Sequence, residues 1–226
     1  MTVPRGRLIV LEGAEGAGKT TQIRRLGETF GARGIAYLGV REPGGTAIGN
    51  QIRRLLLEPG PEFSARTEAL LFMASRAELV ERDIRPALDR GLVVVADRFF
   101  LSTYAYQIAG RGLADSDVTA TNRFATGGLV PDLTILLRLP VSSALARADN
   151  RGTRDRIESA DDAFHHRVAE AFDRFTDPAW QQSHPESGPV VAIDGARSID
   201  EVAASVIGLL EQRWPETFRS PVGSHP

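Results

Sequence analysis

Eight consecutive residues, Gly13-Ala14-Glu15-Gly16-Ala17-Gly18-Lys19-Thr20, have the spacing of a loop that cradles a polyphosphate. The chemistry needs the glycines because backbone N–H groups must converge on phosphate oxygens, and a Cβ would forbid the required dihedral angles and approach. Lys19 offers a point charge for the β and γ phosphates, and Thr20 offers a hydroxyl for Mg²⁺. A helix pattern starts at once, so its N-terminus adds partial positive charge. All eight residues are therefore expected to bind ATP. Lys19 is the only lysine in the chain, so the Asn-Lys-x-Asp segment with which a switch GTPase reads guanine cannot be built. Small kinases remain, and these need a second pocket for an acceptor and a flap that excludes water.

A second constellation follows Leu92–Ala96, where Asp97-Arg98 stands at the carboxyl end of an apolar run, the place where open α/β sheets bind ligands. Asp97 can organise Mg²⁺ or its waters, and Arg98 presents a planar fork suited to a phosphate. Phe72 and Arg76 are four apart on a helix pattern from Ala65 to Leu88, giving one face a ring to stack on a base and a second fork. Taken alone, Asp97-Arg98 also fits a structural ion pair and Phe72 a core position. The stretch from Asp149 to Asp162, dense in Arg and Asp around Gly152, reads as a charged flap or as a solvated surface loop.

These groups need a scaffold. Short branched apolar runs recur at 8–11, 35–40, 92–96, 133–137 and 190–193, and amphipathic segments lie between them, as where Ile23, Leu26 and Phe30 share a helix face. The alternation predicts an α/β three-layer sandwich with a parallel five-stranded sheet of buried strands flanked by helices. Ser198-Ile199-Asp200-Glu201 has capping-box spacing and starts the last helix. At 226 residues, 42% of them hydrophobic, a single domain over 1–214 is expected, with a lid insertion at about 147–160 and an unpacked tail from 215 to 226. A net charge of -2 argues against nucleic acid as a partner, and the absence of cysteine excludes thiol chemistry. No run reaches membrane-spanning length and no signal-peptide core precedes Gly13, so a cytoplasmic protein is expected.

In order and spacing the residues resemble thymidylate kinase, the family of P-loop nucleoside monophosphate kinases that phosphorylates dTMP to dTDP with ATP and Mg²⁺. The resemblance is carried by Glu12-Gly13 with the loop to Thr20, Arg41-Glu42-Pro43-Gly44-Gly45-Thr46, Leu71-Phe72 with Ala74-Ser75-Arg76, and Asp97-Arg98-Phe99. Ser102-Thr103, Ala105-Tyr106-Gln107, Pro131-Asp132-Leu133 and Asp155-Arg156-Ile157-Glu158 extend it over most of the chain. It implies a dTMP site of Pro43, Phe72, Arg76, Arg98, Thr103, Tyr106 and Gln107. In that site Phe72 would stack on thymine, Arg76 and Arg98 would hold the phosphate or the base edge, and Tyr106 would press on the deoxyribose. Glu15 would lie near the sugar 3′-hydroxyl, with Thr20 and Asp97 serving the metal. Lys19, Glu15, Asp97 and Arg98 would be catalytic. Family members carry the transition-state arginine either after the loop acid or in the lid. Gly16 occupies the loop position here, so Arg151 and Arg156 are the leading candidates, with Arg147 and Arg154 in reserve. Arg138 stands where an acidic residue is expected after the fourth strand. A homodimer is also implied, with Leu70–Leu79 available as an interface. A kinase for another monophosphate, or a nucleotide-binding regulator that hydrolyses ATP slowly, are the rival readings.

Overall fold

The structure is a computed structural model that describes residues 5–60, 62–140 and 155–219. In chain order the elements are β1 (Leu8–Glu12), α1 (Lys19–Ala32), β2 (Tyr37–Arg41), α2 (Ala47–Leu57), α3 (Ala65–Leu79), α4 (Arg85–Asp89), β3 (Val93–Asp97) and α5 (Phe100–Thr103). They continue as α6 (Asp115–Thr126), β4 (Leu133–Arg138), α7 (Asp162–Arg174), α8 (Pro178–Ser183), β5 (Val190–Asp194), α9 (Ile199–Arg213) and α10 (Pro215–Phe218). The five strands form one parallel sheet in the order β2-β3-β1-β4-β5.

Period-two geometry splits each central strand between two cores. Leu8 and Val10 of β1 join Val94, Ala96, Leu79 and Phe100 on one face, while Ile9 and Leu11 join Val95, Ile135, Leu26, Phe30 and Val206 on the other. Helices therefore cover both sides. The expectation of buried strands fails for β2, where Tyr37, Gly39 and Arg41 are exposed. The strand order places β2 at an edge, so it lacks a neighbour on one side.

The helix read from Ala65 to Leu88 is continuous but not uniform. Wide π turns over Val80–Ile84 join α3 to α4 just ahead of Pro86. Proline cannot donate to the preceding turn and its ring crowds that carbonyl, and the wider winding gives it room. The capping box is present, with Ser198 Oγ accepting from Glu201 N at 3.3 Å and Glu201 Oε2 accepting from Ser198 N at 3.0 Å.

The tail expectation changes for residues 215–219, while 220–226 lie outside the described residues. From Pro215 the chain makes a helical turn that seats Phe218, fully buried, against Phe30 at a ring separation of 5.4 Å. Arg33 donates to the Phe218 carbonyl, closing the turn over α1. A single aromatic anchor supplies the burial that the surrounding polar and proline residues do not suggest. Phe218→Ala should lower stability by about 3 kcal/mol through lost burial and a cavity, read as a reduced urea midpoint with an unchanged slope. A tail that contributes nothing would leave the midpoint in place.

Candidate functional site

The strand order creates a crevice at the carboxyl ends of β1 and β3, because the chain leaves these adjacent strands toward opposite sides of the sheet. Leu11 pairs with Asp97 in the register, so the loop after β1 and the Asp97-Arg98 corner after β3 are neighbours. A cavity of about 610 Å³ opens there, large enough for small-molecule substrates.

One half of the cavity is the phosphate loop. Gly13, Gly16 and Gly18 all have positive φ, at 145°, 76° and 90°. At Gly13 a Cβ would also stand 2.6 Å from the Leu137 carbonyl oxygen, whereas Gly18 has open space and contributes its φ alone. Gly18 caps α1 with no side chain on the first N–H groups and no acid in the first turn, which leaves that end open to an anion. Lys19 is buried and donates to the carbonyls of Gly13 at 2.8 Å and Ala14 at 3.0 Å. Burial, reinforced by the nearby Arg98 charge, pulls its pKa down to about 8. Thr20 Oγ1 donates to Asp97 Oδ2 at 3.1 Å. That pair of hard oxygens fits Mg²⁺, which keeps most of its shell from water and substrate phosphates. Among the described residues no group of three or more His, Cys, Asp or Glu could hold a metal ion.

Arg98 joins the two halves. Its φ is 70°, the one positive φ outside glycine among the described residues, which turns its guanidinium back over the loop. Nη1 donates to Ser102 Oγ at 2.8 Å and Gly13 O at 3.3 Å, Nη2 donates to Glu15 Oε2 at 3.2 Å, and the fork lies 5.3 Å over the Tyr106 ring. Burial works against its charge, but Tyr106 and the carboxylates of Glu15, Glu12 and Asp97 raise its pKa above the ordinary arginine value. Burial also pushes the Tyr106 hydroxyl up to about 12, so it is neutral at physiological pH.

Pro43, Phe72, Arg76, Thr103, Tyr106 and Gln107 line the same cavity as Glu15, Gly16, Gly18, Lys19 and Thr20. The expected donor and acceptor residues are thus brought together. Tyr106 and Gln107 sit on wide π turns over Tyr104–Gly110, which aim both side chains inward. Arg76 departs from its phosphate reading. Nε and Nη2 donate to Glu42, Nη1 to Thr103 Oγ1 at 2.9 Å and Asn122 Oδ1 at 2.6 Å, and Nη2 to Phe99 O at 2.8 Å. All its donors are committed inside the protein, which leaves Arg76 none to turn toward a phosphate.

Arg156, a leading lid candidate, is held away from the phosphate loop. It does not line the cavity: Nε donates to Leu56 O at 2.8 Å, Nη2 to Glu68 Oε2 at 2.7 Å, and the guanidinium lies 5.0 Å over Phe63. It anchors the segment instead of reaching the phosphate loop, because a buried carboxylate competes for it. Asp155, Ile157 and Glu158, its neighbours, do line the cavity. Arg147, Arg151 and Arg154 lie outside the described residues. Arg138 is exposed, pairs with Asp173 on α7 at 3.0 Å and is not among the residues that line the cavity.

Several functional positions escape sequence reasoning. Glu12, fully buried, accepts from Phe99 N at 2.7 Å, Ser102 N at 3.0 Å and Ser102 Oγ at 2.7 Å, and so sets the turn that carries Arg98. The signal was present, since a charge ends an apolar strand at Glu12. Arg53 lines the cavity while donating to Pro43 O at 2.8 Å. Glu158 approaches Glu15, and burial together with that neighbour raises its pKa.

Comparison with known proteins agrees with this geometry. The thymidylate kinase family model matches residues 11–205. A thymidylate kinase of Deinococcus radiodurans is 43% identical over 209 residues, covering 92% of this chain and 98% of that protein. One from Pseudomonas fluorescens is 46% identical over 208 residues, covering 92% and 96%. One from Carboxydothermus hydrogenoformans is 42% identical over 207 residues, covering 92% and 98%. With family match, sheet order and two-part cavity in accord, the chain belongs to the thymidylate kinase family and is an ATP-dependent nucleoside monophosphate kinase.

Proposed function

We propose that this chain transfers the terminal phosphoryl group of ATP to the phosphate of dTMP, with Lys19 and Arg98 on the two sides of the transfer. The observation that carries this reading is one cavity lined both by the phosphate loop and by Phe72, Arg98 and Tyr106. Phosphoryl transfer has a loose transition state with charge spread on the equatorial oxygens, so alignment and charge neutralisation supply the catalysis. The amides of the loop and Lys19 hold the β and γ phosphates. Arg98 holds the acceptor phosphate in line, while Phe72 stacks on thymine, and Tyr106, Pro43 and Thr103 shape the remaining walls. Glu12 keeps the Arg98 turn in place, and Glu15 steadies the fork from the other side. Thr20 and Asp97 would hold Mg²⁺, which neutralises charge on the β and γ oxygens when bound. Arg151 is the proposed transition-state arginine, with Arg156 as its anchor within the same segment.

The protein is proposed to act in the cytoplasm as a homodimer. Among the described residues no helix is long and apolar enough to cross a membrane. The exposed Leu70 on α3 and Phe124 on α6, helices packed against each other, support an interface there. Mixing the protein with Mg-ATP and each nucleoside monophosphate in turn, while following ADP, tests the function. ADP release driven by dTMP is expected. Release that ignores the acceptor would point to a slow ATP-hydrolysing regulator, and release driven by another monophosphate would move the substrate.

A further inference from the structure

Glu68 stands one helical turn before Phe72 on α3 and is 2% exposed. Four donors meet its carboxylate: Arg111 Nε to Oε1 and Nη2 to Oε2, both at 3.0 Å, Arg156 Nη2 to Oε2 at 2.7 Å, and Gln107 Nε2 to Oε1 at 3.4 Å. Burial alone would raise its pKa, but the hydrogen bonds from Arg111 and Arg156 outweigh it and hold the carboxyl below its usual range. The group is therefore ionised near neutrality, and an ionised carboxylate only accepts. Whatever part of Gln107 faces it must be the amide NH₂. The other end of that amide, Oε1, meets no donor among the described residues, and Gln107 lines the cavity beside Phe72 and Tyr106. Turning the amide over would set its oxygen against the carboxylate, placing two acceptors face to face in a buried site.

We infer that Glu68 is a specificity-positioning residue: by holding Gln107 with its amide oxygen toward the acceptor pocket, it selects a base that carries an N–H at ring position 3. Thymine and uracil have that donor at N3, whereas cytosine presents a lone pair there. The inference rests on the proposed dTMP site and adds the residue that sets its hydrogen-bonding sense. Through Arg156 the same carboxylate fixes the cavity wall at Asp155–Glu158, so the base reader and the wall share one anchor.

Steady-state kinetics with dTMP and dCMP on the full chain test this. Wild type should prefer dTMP. In Glu68→Gln the new amide can donate as well as accept, Gln107 can turn either way, and the dTMP-to-dCMP ratio of kcat/KM should fall by about tenfold, with KM for ATP unchanged. Gln107→Met, which keeps the bulk without an amide, should lose the ratio to the same extent, and the double variant should lose no more. Glu68→Asp, still an acceptor only, should retain the preference. A purely structural role would lower kcat for both substrates and keep the ratio, which overturns the inference. Should Glu68→Gln fail to fold by circular dichroism, Gln107→Met carries the test, and an unchanged ratio there is equally fatal. A wild type that turns over no monophosphate overturns the proposed function itself, whereas an active wild type whose ratio survives both substitutions overturns this inference alone.

Discussion

Lys19→Ala should reduce kcat by about a thousandfold, since it removes a preorganised charge aimed at the transferred group. No other lysine exists to substitute for it. Before nucleotide arrives, its ammonium is held by the carbonyls of Gly13 and Ala14. Burial and the neighbouring Arg98 lower its pKa to about 8. A bound triphosphate stabilises the charged form and raises that pKa again. Below about pH 8 the free and bound enzymes both carry the proton, and this group makes ATP affinity independent of pH. Above it the free enzyme has lost the proton and the complex has not, so binding takes one up and affinity falls as pH rises. Calorimetric titrations with ATP at pH 9, in buffers of different ionisation enthalpy, should show uptake approaching one proton, fading below pH 7. Uptake that is absent in wild type, or that persists in Lys19→Ala, would rule Lys19 out as its source.

Arg98→Ala should raise KM for dTMP by about a hundredfold, the usual scale for removing one partner of a buried charged contact. The ATP site should be largely spared, because Arg98 touches the loop only through the Gly13 carbonyl and Glu15. A secondary effect distinguishes this variant from general damage. Arg98 is one of the groups that lower the Lys19 pKa, so its removal should move the proton uptake to higher pH. Titrations with dTMP and ATP separately decide the matter, and an unchanged dTMP affinity would take Arg98 out of the acceptor site.

Much of this site is legible in the linear order of residues, and the reason is physical. A phosphate nest is built from consecutive amides, so Gly13 to Thr20 contains all its parts locally. Asp97-Arg98 is readable because an apolar strand ends there, and strand ends are where such sheets place ligands. Glu68 and Asn122 are different. Each is a polar residue on a helix with an ordinary surface pattern, and its burial follows only from which helices meet around Arg76 and Arg111. The partner of Arg156 was hidden for the same reason: proximity in sequence to the other lid arginines says nothing about Glu68, 88 positions away, which captures it.

Local propensity and spacing settle what depends on neighbours along the chain: the five strands, the nucleotide loop, the capping box at Ser198 and the exclusion of thiol chemistry. Packing settles what depends on groups far apart in sequence. It puts β2 at an edge and leaves it exposed, seats Phe218 under α1, spends the donors of Arg76 on Glu42 and Asn122, and sets the Gln107 amide NH₂ against Glu68. A buried charge must find its counter-charge wherever the fold brings one, and no local pattern records that meeting.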